Sequence, residues 1–349
     1  MDKHKNHFTL LEYDPLKLLN KYDKICSIME VRDGKKIFDP LWPISVELHL
    51  TDLCNLNCRW CTDAGLKKNQ ASLEFDVVKS LFDEFKKHSV GVTLEGGGEP
   101  TIHKNFYDIV QYGASIDLDM GLITNGVKEI RDIINLLRWV RISLDASNAN
   151  EYKYEKGVNL FDKVIDNIKQ INIGRDRDKV FLGIGYVITK DNDKDLLLFI
   201  NMMNEMGVDY IYMRPVEENK ELSPDYISLD AYKKIIEKKE DRLSTKVLLK
   251  VNERTIRDND NLPCIAHSLT CVIRANGDLV LCEKRKHDIV VLGNVNKTSF
   301  ENIWMSEKRK NISKKLLNNS STKGCEVCRL TRFNKIFYEL GGLRTSNFI

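Results

Sequence analysis

The sequence predicts an α/β chain, a partial (β/α)6 TIM-like barrel followed by a small α+β domain. Three observations predict it. Apolar strand-like runs alternate with helix-period segments over the first two thirds of the chain. Successive strand ends carry glycine, polar and acidic residues. From Pro263 the texture changes to a hairpin with an Asn276-Gly277 turn.

The strands come first. They read ISVELHLT (44–51), VGVTLEGGG (90–98), MGLITNG (120–126), WVRISLDA (139–146), VFLGIGYVIT (180–189) and YIYMRPV (210–216). Between them, SLEFDVVKSLFDEFKKHS sets Phe75, Val78, Phe82 and Phe85 on one helical stripe. FDKVIDNIKQI and DLLLFINMMNEMG behave likewise. Strands alternating with helices imply right-handed βαβ units and a parallel sheet, whose ligands sit at the carboxyl ends of the strands. The charged stretch from about 217 to 262, with SLDAYKKIIEKKEDRL, reads as a last helix plus a connection. The expected organisation is an N-terminal extension (1–43), the barrel (44–245), the small domain (262–335) and a tail (336–349). The extension would cap the barrel or one sheet edge.

Length and composition narrow the class. The chain has 349 residues, 30% charged and 42% hydrophobic, with a net charge of +3. That is an ordinary globular balance, with no support for a dedicated nucleic-acid binder. No apolar run is long enough to span a bilayer, and the start, MDKHKNHFTLLEYD, lacks a signal core. A cytoplasmic protein is expected.

The nine cysteines are uneven. Three lie in Cys54-Asn55-Leu56-Asn57-Cys58-Arg59-Trp60-Cys61, and five lie from Cys264 onward. In a cytosolic chain such clusters are more often metal ligands than disulfides, so two separate metal sites are expected. Gaps of three and two residues let one loop wrap three thiolates around an iron–sulfur cube and leave a fourth iron open. Structural zinc prefers four protein ligands.

CNLNCRWC, on the first strand's exit, resembles the CxxxCxxC signature of the radical S-adenosylmethionine (radical SAM) superfamily. GGGEP after the second strand strengthens the likeness, which covers roughly residues 44 to 217. The resemblance implies that Cys54, Cys58 and Cys61 hold a site-differentiated [4Fe–4S] cluster. S-adenosyl-L-methionine would chelate the open iron and be cleaved reductively to a 5′-deoxyadenosyl radical, which abstracts a substrate hydrogen. It implies that the Gly97 and Gly98 carbonyls meet the cofactor's ammonium group and that Glu99 orients that strand end or contacts the cofactor. Asn125, Ser143 and Asp145 would face its carboxylate or ribose, Val187 and Trp60 its adenine. Arg214 would meet the carboxylate or ribose, or else form a structural ion pair. An electron donor such as flavodoxin or ferredoxin is implied as a partner.

The second set, Cys264, Cys282, Cys325 and Cys328, resembles the auxiliary-cluster domains of the same superfamily. No cysteine follows Cys328, so the full SPASM pattern is absent and the shorter twitch form, with one auxiliary [4Fe–4S] cluster, is expected. Four thiolates would saturate that cluster and suit it to electron relay. A four-cysteine zinc ribbon is the alternative. Cys271 reads as a buried thiol, or as a hydrogen-atom donor to a substrate radical. Cys26 has no assigned role. His49 reads as a packed histidine, and the runs Lys284-Arg285-Lys286 and Lys308-Arg309-Lys310 as solvated faces.

Three functions compete. A small-molecule enzyme would oxidise, epimerise or decarboxylate a sugar or aminocyclitol, as the single-cluster pattern resembles that of an aminocyclitol-alcohol dehydrogenase. A maturase would modify a ribosomal peptide or protein. A metal-binding protein would do no chemistry. The short N-terminal extension and the missing cysteines favour the small molecule. No catalytic base is assigned, with His49 and Tyr186 the candidates considered.

Overall fold

The computed structural model describes residues 15–65, 69–217, 219–224, 226–239, 242–250, 262–282, 291–318, 328 and 330–342. Among the described residues a short 3-10 helix (Pro15–Asn20) and α1 (Tyr22–Arg32) precede the strands, which then alternate with helices as expected. The chain runs β1 (Ser45–Leu48), α2 (Phe75–Lys87), β2 (Gly91–Leu94), α3 (Phe106–Ser115), β3 (Met120–Thr124) and β4 (Trp139–Ser143). Next come α4 (Ala149–Lys156), α5 (Phe161–Gly174), β5 (Phe181–Ile188), α6 (Leu196–Glu205) and β6 (Tyr210–Pro215). After α7 (Tyr226–Lys239) and β7 (Lys246–Leu249) follow β8 (Thr270–Ile273), β9 (Asp278–Val280) and β10 (Val291–Asn294). The order closes with α8 (Phe300–Trp304), α9 (Glu307–Leu317) and α10 (Thr331–Gly342). The chain divides into two compact units, one built mainly on Glu47–Val251 and one on Leu11–Val46, Asn252–Ile273 and Gly277–Ile349.

In the first unit, strands follow one another across the sheet in sequence order, and β2 to β7 pair in parallel with their neighbours. All six expected strands form. A seventh, β7, lies in the stretch read as a connection. Its four residues open on Lys246 and are followed by Lys250, so no apolar alternation marks it. Charge is common on an edge strand, where it discourages pairing with another chain. The α2 stripe is buried through Val78, Leu81, Phe82 and Phe85, with Leu81 in the place expected for Phe75. Two helices escaped the sequence pattern. α3 is short. α4 (ANEYKYEK) is polar nearly all round, and its limits are set by caps instead: Asn148 accepts from the Glu151 amide, and Gly157 closes the helix with φ 77°.

In the second unit, β8 and β9 form the antiparallel hairpin that the Asn276-Gly277 turn predicts, with Gly277 at φ 87°. β10 adds to β9. The segment before residue 44, expected as a separate extension, shares this unit's core: Leu18, Ile28 and Val31 pack with Ile265, Leu269, Leu330 and Phe337. α10 runs across the expected limit at 335. No helix among the described residues is long and apolar enough to cross a membrane.

Candidate active site

The site grows from the ends of β1, β2 and β3. Past β1, the Thr51 hydroxyl meets the Ser72 hydroxyl at 2.6 Å, and the chain enters the Cys54–Cys61 loop. Past β2, the glycine run crosses this exit at very short range. Gly96 and Gly97 have φ of 67° and 65°, a region that glycine enters without cost. A Cβ at Gly96 would strike the His49 ring at 2.2 Å, and one at Gly98 would stand 1.8 Å from the Leu53 carbonyl oxygen. The Gly98 and Glu99 amides donate to the Thr51 and Leu53 carbonyls. GGGEP therefore positions the cysteine loop as well as forming the turn expected of it. Gly98→Ala will displace Leu53, next to Cys54. We expect a loss of about 3 kcal/mol, read as a lower urea midpoint, together with reduced iron uptake.

Glu99 is expected to orient its strand end or touch the cofactor. It is buried, and its two carboxylate oxygens accept from the Thr101 amide and hydroxyl, the Thr124 hydroxyl and the Asn125 amide. Burial pushes its carboxyl up, and these four bonds oppose that. Asn125 takes the link onward: its side-chain amide donates to Asn55 Oδ1 at 2.7 Å, inside the cysteine loop.

The same loop docks on the end of α4. The Asn57 amide donates to the Lys156 carbonyl at 3.0 Å, and the Arg59 amide to the Glu155 carbonyl at 3.1 Å. These two bonds straddle Cys58 and use carbonyls that a helix end leaves unsatisfied. Arg59 also stacks on Tyr154 at 4.0 Å and pairs with Asp191 at 2.9 Å.

Asp145 is expected to face the cofactor's carboxylate or ribose. It is wholly buried at φ 59°, and its carboxylate is consumed by the Lys156 ammonium and the Val187 amide. Lys156, unremarked in the sequence, is 1% exposed and lies 4.7 Å over the Trp60 ring. Trp60 packs against Val187, Val216 and Leu222, which joins two residues expected on the adenine side in one apolar wall. The indole N–H of Trp60 and the buried Tyr152 hydroxyl have no hydrogen-bond partner among the described residues. Arg214 lies 3.6 Å from Glu217, the ion-pair alternative raised for it. Ser143 sits at the end of β4, beside Gly185 of β5. His49 is buried as expected, and the Tyr186 hydroxyl lies 3.1 Å from two acceptors, Glu151 Oε1 and the Asn192 carbonyl oxygen, that compete for its one proton.

Cys54, Cys58 and Cys61 are half-buried. Burial pushes the Cys58 thiol up, the Lys156 ammonium pulls it down, and Asp145, Cys61 and Cys54 push it up again, so the three thiols share one neighbourhood. Among the described residues no three His, Cys, Asp or Glu side chains converge on a single-ion site. Three soft thiolates spaced three and two residues apart on one loop suit an iron–sulfur cluster by their donor chemistry.

In the second unit, Cys264, Cys282 and Cys328 are likewise half-buried, and Cys325 lies outside the described residues. Asn334 clamps the Cys264 turn, accepting from the Ile265 and Ala266 amides and donating to the Pro263 carbonyl. Cys271 is buried on β8, with its thiol pushed up by burial against the pull of Arg309 and Lys24. Arg309, expected on a solvated face, is fully buried, where it donates to the Trp304 and Asp39 carbonyls. Lys284, Arg285 and Lys286 lie outside the described residues.

Residues 48–203 match the radical SAM superfamily, and residues 264–329 match SPASM, an iron–sulfur cluster-binding domain. The chain belongs to the radical SAM superfamily, with a SPASM-type auxiliary domain. It is similar to the mycofactocin maturase MftC of Mycobacterium tuberculosis, 25% identical over 82% of this chain and 75% of that protein. It is also similar to a probable GTP 3′,8-cyclase of Sulfurisphaera tokodaii, 28% identical over 61% of this chain and 67% of that protein. In fold it matches Streptococcus suis SuiB bound to precursor peptide SuiA, with a TM-score of 0.64, 14% identity, and coverage of 91% of this chain and 76% of that one. It also matches anSMEcpe with bound AdoMet and Cp18Cys peptide, with a TM-score of 0.60, 15% identity, and coverage of 84% and 88%. This radical SAM protein is thus an enzyme of radical-generating architecture.

Proposed function

We propose that this radical SAM enzyme modifies a peptide, and that the small-molecule expectation drawn from its short extension and missing cysteines gives way to this reading. One observation carries it. The similarity to a maturase runs along 82% of the chain, whereas that to the GTP cyclase covers 61%. Two of the proteins of like fold hold peptides. Cys54, Cys58 and Cys61 would hold the site-differentiated cluster, and Cys264, Cys282, Cys325 and Cys328 the auxiliary one. When bound, the first cluster and S-adenosylmethionine supply a 5′-deoxyadenosyl radical. The chain's own residues bind and shield. Trp60 and Val187 offer an apolar wall to the adenine, and Gly97 and Gly98 bring backbone close to the ammonium group. Glu99 and Asn125 hold the cysteine loop in register with β3. A flavodoxin or ferredoxin would deliver the electron.

The test is anaerobic turnover of reconstituted enzyme with a pool of synthetic short peptides, and separately with GTP, sugars and aminocyclitols. We expect the pool to raise 5′-deoxyadenosine formation at least about tenfold over the substrate-free rate, with a matching mass change in one peptide. Stimulation by a small molecule alone would return the reading to the earlier expectation.

A further inference from the structure

Buried ammonium groups are costly unless paired, so a lysine that is 1% exposed on an otherwise polar helix needs a reason. Lys156 has two neighbours that supply one. Asp145, at 0% exposure, fixes its ammonium from one side. On the other side lies the cysteine loop. The Lys156 and Glu155 carbonyls bind the amides on either side of Cys58, and the ammonium lies 4.7 Å over the ring of Trp60, two residues further on. Gly157 permits this approach, since a Cβ there would meet the Asn57 carbonyl oxygen at 3.1 Å. The charge and the loop are thus held by the same turn of chain.

We propose that Lys156 sets the reduction potential of the cluster held by Cys54, Cys58 and Cys61, its buried ammonium stabilising the more negative, reduced cluster. The inference rests on the assignment of those three cysteines as ligands. Cluster potentials respond to net charge, to hydrogen bonds to sulfur and to solvent exposure. A positive charge in a poorly solvated pocket acts at much longer range than one in water. Asp145 cancels part of this field, and the Val187 amide that donates to the same carboxylate offsets part of its charge in turn. Lys156 is a positioning and tuning group here. It takes no part in hydrogen abstraction.

The test is an EPR-monitored redox titration of the full reconstituted chain, following the signal that added S-adenosylmethionine perturbs. Lys156→Gln should lower the potential by at least ~59 mV, a tenfold change in the oxidised-to-reduced ratio for one electron. Lys156→Arg, which keeps the charge, should remain near the parent. Should Lys156→Gln fail to fold around an unpaired Asp145, the double variant Asp145→Asn/Lys156→Gln removes both charges, and its potential should also fall below the parent. A parent-like potential in the folded Lys156→Gln protein, or in the double variant where that protein does not fold, would overturn the proposal. So would an equal shift in Lys156→Arg. Iron and the perturbed signal surviving replacement of Cys54, Cys58 and Cys61 by alanine would instead show that the ligand assignment is at fault.

Discussion

Replacing Cys54, Cys58 and Cys61 together by alanine is expected to halve the iron and abolish 5′-deoxyadenosine formation. After anaerobic reconstitution the parent should carry about eight irons per chain and the variant about four, since each cubane holds four. The two cysteine sets lie in different compact units, so loss of one should leave the other filled. The remaining iron should disappear only when Cys264, Cys282, Cys325 and Cys328 are also replaced. Iron and acid-labile sulfide analysis, with zinc measured beside them, separates the cases. Four irons in the parent and none in the variant, with zinc retained in both, would make the C-terminal set a zinc fold. The electron-relay role expected of it would then fall.

The second large effect is expected at Asp145. Asp145→Asn is a mild change on paper, because asparagine tolerates the left-handed φ of 59° and keeps an oxygen for the Val187 amide. What it removes is the charge opposite Lys156. Breaking one side of a buried ion pair costs about 3–5 kcal/mol, because the other charge is left unpaired. The measurement is the urea midpoint of Asp145→Asn against the parent, both in the same cluster state. Adding Lys156→Met should recover much of the loss, because an apolar side chain of similar length needs no partner. A change below about 1 kcal/mol in the single variant would mean that the pair contributes as little as one on the surface.

The barrel was largely legible in the sequence because its strands are continuous apolar runs and its main helices carry apolar stripes. β5 shows this well: FLGIGYVI is buried at seven of eight positions and reads as a buried strand at once. Where local pattern fails, so did the reading. β7 is short, opens on a lysine and is followed by another. α4 has no stripe, so neither the helix nor Lys156 stood out. The cysteine spacing pointed to the chemistry through a family resemblance, whereas the hydrogen bonds that hold Glu99 and Asp145 inside the protein join groups far apart in sequence.

The amino-acid order by itself determined the strand–helix alternation, the two cysteine sets, the glycine run that only a close crossing requires, and the Asn276-Gly277 hairpin. Each of these is encoded within a few residues, by periodicity, spacing or the φ that a residue permits. The tertiary structure alone decided that Lys156 and Asp145 are buried together. It decided that Glu99 ties β2 to β3, that the cysteine loop hangs on the last turn of α4, and that Arg309 is a core residue. These depend on partners far away in sequence, as with Asn125 and Asn55, seventy residues apart. A charged side chain reads as solvated until the chain that neutralises it has been brought alongside.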